Sequence, residues 1–169
     1  FLGYSWSGAR HLASGEPIGI VMRTDLFGAF MLLQITGLSF LAALYSKRYI
    51  PHLVPEEKIG LYYTLLLLFI AGMSGLALTG DFFNFYIFLE LSGISSYALV
   101  AISTDKESTE AALKYAVIGT MGSIFLLFGI VLLYASTGTL NMLYASAQID
   151  KIFAQDAPVY LTRFRYHVY

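Results

Sequence analysis

Between Gly80 and Ile102 the sequence reads GDFFNFYIFLELSGISSYALVAI, a run apolar and long enough to cross a bilayer. It nevertheless carries a carboxylate, Glu90. Taken as a helix over 82–102, the run puts Glu90 roughly 3 Å from the midplane, at about 1.5 Å rise per residue. A charge there costs at least about 2.5–3.5 kcal/mol on insertion scales. A lone ionised glutamate facing lipid is therefore disfavoured. Glu90 is expected to face protein or water, and to be either protonated or paired. An ionisable residue so placed marks, by default, a proton or ion path. Tyr86, Glu90, Gly93 and Tyr97 follow at steps of four, three and four, so they share one helical face. A phenol four residues before or seven after the acid can hydrogen-bond the carboxyl, or hold a water beside it. The bland alternative is a protonated glutamate that hydrogen-bonds a neighbouring helix.

Lys114 is a second candidate, in the first turn of the next apolar run. A cation beside a carboxyl favours its charged form. A lysine that approaches and withdraws would thus release and load a proton. Lysines near helix ends also snorkel to the membrane interface, and position alone leaves both roles open.

The composition requires a membrane setting for these residues. Of 169 residues, 57% are hydrophobic and 12% charged, against about 25% charged in soluble domains. The net charge of −1 implies no nucleic-acid partner. The absence of cysteine excludes disulfides, thiolate metal sites, iron–sulfur ligation and a cysteine nucleophile. The sequence has no P-loop, GxGxxG, HExxH or recognisable Ser-His-Asp arrangement, so no cofactor, metal or catalytic chemistry is expected in this chain. It begins at Phe1, which suggests a piece of a longer polypeptide.

The chain is predicted to be an all-α integral membrane protein with four transmembrane helices, at 26–45, 59–79, 82–102 and 111–135. Residues 1–25 read as an extramembrane hairpin or loop, turning at Ser14-Gly15-Glu16-Pro17, with Tyr4 and Trp6 suited to the interface. Asp25 and Asp81 are the expected N-caps of the first and third spans. Residues 46–58 read as a polar connection whose prolines, Pro51 and Pro55, end one helix and start the next. Ser108-Thr109-Glu110 resembles the start of the fourth helix. Residues 136–169 form an extramembrane tail, helical around 140–147. Ala71, Gly75 and Thr79 form one small-residue face, and Gly119 and Gly122, with Tyr115, another; both suit close helix packing. Gln34 and Thr36 are expected to hydrogen-bond other helices.

GDFFNFYIFLELSGISSYALVAI, followed by STEAALKYAVIGTMGSIFLLFGIVLLYASTGTLNM, resembles the antiporter-like membrane subunits of respiratory complex I, Mrp-type sodium/proton antiporters and membrane-bound hydrogenases. The likeness is nearest to the Mrp D subunit and runs from about Glu16 to Met142. It implies that the four spans are the third to sixth of about fourteen helices in a larger antiporter-like fold. It further implies that Glu90 occupies the position of the family's fifth-helix glutamate, essential to proton movement. The lysine of the AAxKY pattern falls on Lys114. The family's best-known partner for the glutamate is a different lysine, on a seventh helix beyond this chain. The closing LTRFRYHVY departs from the family and suggests truncation.

Two functions fit these residues. One is proton translocation, with or without exchange for Na⁺, by a subunit of a multisubunit complex in the cell membrane. There Glu90 and Lys114 would carry the proton, supported by Tyr86 and Tyr97. Its partners are other membrane subunits, the lipid bilayer, H⁺ and in the exchange case Na⁺. Any NADH:quinone or hydrogenase activity would belong to partner subunits. The alternative is a non-conducting structural module that anchors partner subunits.

Orientation follows from the basic residues. Lys47, Arg48, Lys58, Lys106 and Lys114 cluster on the side of the 46–58 and 103–110 connections, and the 80–81 turn has none. The positive-inside rule places those connections in the cytoplasm. A single cysteine introduced as His52→Cys should react with an impermeant thiol reagent only when the cytoplasmic face is exposed. Labelling confined to the outer face would reverse the assignment.

Overall fold

The computed structural model describes residues 4–7 and 21–156. The Ser14–Pro17 turn, the side chains of Tyr4 and Trp6, and the closing LTRFRYHVY lie outside the described residues. The elements are β1 (Tyr4–Ser7), β2 (Val21–Thr24), α1 (Leu26–Leu53), α2 (Glu56–Leu78), α3 (Phe82–Val100), α4 (Lys106–Thr137) and α5 (Met142–Asp156). β1 and β2 pair antiparallel. The four helices α1 to α4 are each long and apolar enough to cross a membrane. Each packs chiefly on its neighbours in sequence, so they form an open row.

Acidic caps start three of the helices. Asp25 accepts from the Gly28 N–H at 2.6 Å. Asp81 accepts from the N–H groups of Phe83 and Asn84 at 2.9 and 3.0 Å. Asp105 accepts from the Ser108 N–H at 3.0 Å. In each case the carboxylate satisfies backbone donors that the first helical turn leaves free. α4 ends at Gly138, whose φ of 72° is the left-handed conformation favoured by glycine.

Two helix ends differ from the sequence expectation. α1 continues through residues 46–53, because Pro51 lies in its last turn and removes only one helical hydrogen bond there. The connection shrinks to Val54 and Pro55, and Pro55 precedes the first residue of α2. α4 begins at Lys106, not at Ser108, because Asp105 supplies the cap. Thr104 makes this short link possible by taking φ 58°. Its hydroxyl accepts from Lys58 Nζ at 2.9 Å. Lys114 accordingly stands in the third turn of α4 and not in its first.

α2 and α3 make the closest contact. A Cβ on Gly72 would lie 2.8 Å from the Ser92 backbone nitrogen, and one on Gly75 would run into the Phe88 ring. The contact stripe on α2 is therefore Gly72, Gly75 and Thr79, while Ala71 is exposed. A strict step of four drifts by about 40° per step at 3.6 residues per turn, so the stripe alternates three and four. The same drift corrects the expectation for α4. Gly119 faces the Tyr97 ring of α3, but Gly122 is exposed, and a Cβ there would meet nothing within 4 Å. Ala112, Ser123 and Ile130 are the buried positions of that helix. Thr36 donates to the Leu32 carbonyl of its own helix at 2.8 Å, not to another helix. Gln34 is exposed on α1.

At one end of the row the Thr79-Gly80-Asp81 turn is tied on both sides. Gly80 N–H donates to the Val21 carbonyl at 2.8 Å. Phe82 N–H donates to Leu140 at 2.9 Å, and Met142 N–H to Gly80 at 3.0 Å. At the other end Ile50, Val54 and Ile102 form a small apolar core with Ile59, Tyr62 and Leu65.

Gly72→Leu should destabilise the protein by about 1–3 kcal/mol or more, the range for overpacking. Gly122→Leu should leave its thermal unfolding nearly unchanged. Equal melting of the two variants in detergent would contradict the packing described. A second outcome concerns Asp105. Hydrogen bonds from the Ser103 hydroxyl, then from Ser108, hold its carboxyl well below the usual carboxylate range. A lowered carboxyl contributes stability above the unfolded value of about 3.9 and loses it as pH falls toward the folded one. Asp105→Ala should therefore speed amide exchange at Ser108 and Thr109 at neutral pH. That difference should fade only in strongly acidic solution.

Candidate functional site

The site is built on α3, whose two sides do different work. Ser92 and Phe88 pack on Gly72 and Gly75 of α2. At about 100° per residue, Tyr86, Glu90, Gly93 and Tyr97 lie roughly half a turn away from that side. Glu90 is consequently half-buried, neither enclosed by the described helices nor fully exposed. No ion pair reaches it among the described residues.

The two phenols bracket it. Tyr86 stands one turn before it and Tyr97 two turns after it on the same helical face, each near enough to interact with the carboxyl. The Tyr97 ring folds back toward the start of α3, as long helical side chains do. Its hydroxyl ends 3.1 Å from the position a Gly93 Cβ would take, and against Gly119 of α4. A Cβ at Gly119 would displace it, and one at Gly93 would press closely on it. The Tyr97 ring also meets Tyr115 of α4 edge-on, with centroids 4.7 Å apart and planes at 81°. The Tyr115 hydroxyl in turn lies 3.4 Å from Ser96 Oγ.

Lys114 has a different partner. Its Nζ donates to Glu110 Oε1 at 2.6 Å on the surface of α4, and the two side chains are 70% and 58% exposed. The Glu110–Lys114 spacing of four is a familiar helical ion-pair signal, and it could have revealed this pairing in advance. The structure thus brings together Tyr86, Glu90 and Tyr97, and pairs Lys114 elsewhere. Ser96 was not singled out from sequence, and Glu110 only as part of a helix start. Tyr115 and Gly119 were singled out for packing only. Among the described residues no three His, Asp or Glu side chains are grouped to hold a metal ion.

Residues 79–162 match the family described as "NADH:quinone oxidoreductase/Mrp antiporter, TM". That stretch includes α3 and α4, and with them Glu90, both phenols and Lys114. The chain belongs to this family. The N subunit of the NADH-quinone oxidoreductase of Desulforudis audaxviator is 37% identical over 152 residues, covering 89% of this chain and 30% of that protein. The D subunit of the Na⁺/H⁺ antiporter of Bacillus subtilis is 37% identical over 135 residues, covering 80% of this chain and 27% of that protein. Among solved structures, the membrane-bound sulfane sulfur reductase, an archaeal respiratory membrane complex, contains a chain that superposes with a TM-score of 0.70. The two are 42% identical, over 80% of this chain and 27% of that one. The chain therefore spans less than a third of the length of these relatives. As a member of the antiporter family it is an integral membrane protein, and its named relatives are subunits of larger assemblies.

Proposed function

We propose that this chain is part of a proton-translocating, antiporter-like subunit of a multisubunit complex in the cell membrane. Glu90 is the group that takes up and releases the proton. The observation that carries this is the placement of Glu90 on α3. It is a half-buried carboxyl in a membrane helix, with Tyr86 one turn before it and Tyr97 two turns after it on the same face. Burial of such a group is costly unless its protonation is used or compensated. The names of the relatives support the same function, since one is a Na⁺/H⁺ antiporter subunit and another belongs to an NADH-quinone oxidoreductase. The transported ion is H⁺, alone or in exchange for Na⁺. Other membrane subunits are the partners, and any electron transfer resides in them.

Lys114 is the proposed electrostatic neighbour. Its exposed bond to Glu110 can break at little cost, because exposed pairs contribute only about 0–1 kcal/mol. Freed, its charge would favour the ionised form of an acid that it approaches. A second function, non-conducting anchorage of partner subunits, is favoured by one observation: no cation pairs with Glu90 among the described residues.

Reconstituted translocation separates the two. Glu90→Gln preserves shape and hydrogen bonding but removes the titrating proton. It should leave assembly of the complex nearly unchanged and abolish proton movement. Glu90→Asp, one methylene shorter, should retain part of the rate. Normal pumping by the glutamine variant would leave the anchoring role as the better account.

A further inference from the structure

We propose that Tyr97 is the relay through which protons pass between Glu90 and the end of the α3–α4 pair that carries the 101–105 connection, and that Gly119 sets its position. The inference rests on Glu90 being the proton-carrying group. Three features of the geometry point to it.

The first is reach along the helix. Tyr97 is attached two turns from Glu90, yet its ring folds back so that the hydroxyl stands at the level of Gly93. Gly93 is one turn from Glu90, so about 4.5 Å remains along the axis. One bridging water spans such a gap. The second is the notch. The hydroxyl occupies the space a Gly119 Cβ would fill and lies 3.1 Å from the place of a Gly93 Cβ. Two glycines, one on each helix, thus leave room for one phenol between α3 and α4. The third is continuation away from Glu90. The Tyr97 ring meets Tyr115, whose hydroxyl lies beside Ser96 Oγ. Tyr115 is 47% exposed among the described residues and lies on the side of Tyr97 away from Glu90.

The transfer balances without net chemistry on the phenol. Tyr97 gives its hydroxyl proton, through the bridging water, to the Glu90 carboxylate. In the same event its oxygen accepts a proton from a water on the Tyr115 side. The phenol ends neutral, one O–H bond broken and one formed, and Glu90 carries one more proton. Release toward that side is the reverse. Tyr86, one turn from Glu90 in the other direction, lies off this route.

The test compares proton translocation by the assembled complex in vesicles carrying wild type, Tyr97→Phe, Gly119→Ala, the double variant, and Glu90→Gln. Tyr97→Phe keeps the ring in its notch and adds no bulk. It should slow translocation on the order of a hundredfold, the low end of what a positioned proton-transfer group contributes, and less than about threefold overturns the proposal. Gly119→Ala should also slow it, by displacing the hydroxyl. In the Tyr97→Phe background the same alanine should cost little more, because the group it displaces is already gone. Fully additive losses would mean that Gly119 acts by packing alone and would overturn its assigned role. If Gly119→Ala fails to assemble, the phenylalanine variant alone decides the relay. Glu90→Gln keeps the outcomes apart. A silent Tyr97→Phe with an inactive Glu90→Gln removes the relay and spares the proton site. An active Glu90→Gln removes both.

Discussion

The three-residue turn Thr79-Gly80-Asp81 decides how α2 meets α3, and the direction of Glu90 depends on that meeting. A turn this short leaves the two helices antiparallel and adjacent. β2 holds it on one side, through Gly80 and Val21, and the 140–142 strand-like segment holds it on the other. Inside the turn the Thr79 hydroxyl accepts from the Asp81 N–H at 3.3 Å and from Asn84 Nδ2 at 3.2 Å. Asp81 then caps α3. With the start of α3 fixed in this way, Gly72 admits its backbone and Gly75 its Phe88 ring at close range, and its rotation about its own axis is set. Glu90 is left on the far side, where α2 cannot cover it.

Membrane physics explains why the polar residues of α3 sort themselves between these sides. A serine can satisfy its hydroxyl on its own helix. Ser92 donates to the Leu89 carbonyl at 2.9 Å and Ser95 to Leu91 at 2.7 Å. Both are therefore small and internally bonded, and both are buried. A carboxylate has no such recourse. It only accepts, and the N–H groups of a helix interior are already committed to the carbonyls four residues back. Glu90 must find donors on side chains or water, and the phenols are what the helix offers. The division between a structural face and a chemical face follows from this difference in bonding capacity.

Much of this was legible in the sequence. Runs of about twenty apolar residues identified four helices, and the four-three-four spacing placed Tyr86, Glu90, Gly93 and Tyr97 together. The helix ends were less legible. A proline two residues from the end of α1 breaks almost nothing, and Asp105 competed with Ser108 for the same capping role. The packing stripes were missed by one residue at Ala71 and Gly122, because a regular step of four cannot track a helix of 3.6 residues per turn. Cross-helix neighbours were the least legible. Nothing local to Ser96 or Gly119 announces that Tyr115 and Tyr97 will meet between them. That depends on the register of α4, which the 101–105 link and the left-handed Thr104 determine.

The two contacts of α3 also differ in kind, and the difference bears on how a proton could move past Glu90. Toward α2 the closest approach is backbone on backbone, the Gly72 Cα against the Ser92 amide, with the Phe88 ring seated on Gly75 beside it. Separation there would cost the packing of both helices at once. Toward α4 the contact near the site runs through side chains, Tyr97 against Tyr115 and Gly119. Side chains have alternative rotamers within one backbone arrangement. A path that opens and closes needs one such adjustable boundary, and it needs the acid held still while the boundary changes. α3 supplies both. Its rigid side fixes Glu90, and its adjustable side carries the phenol nearest to the exposed end of the pair.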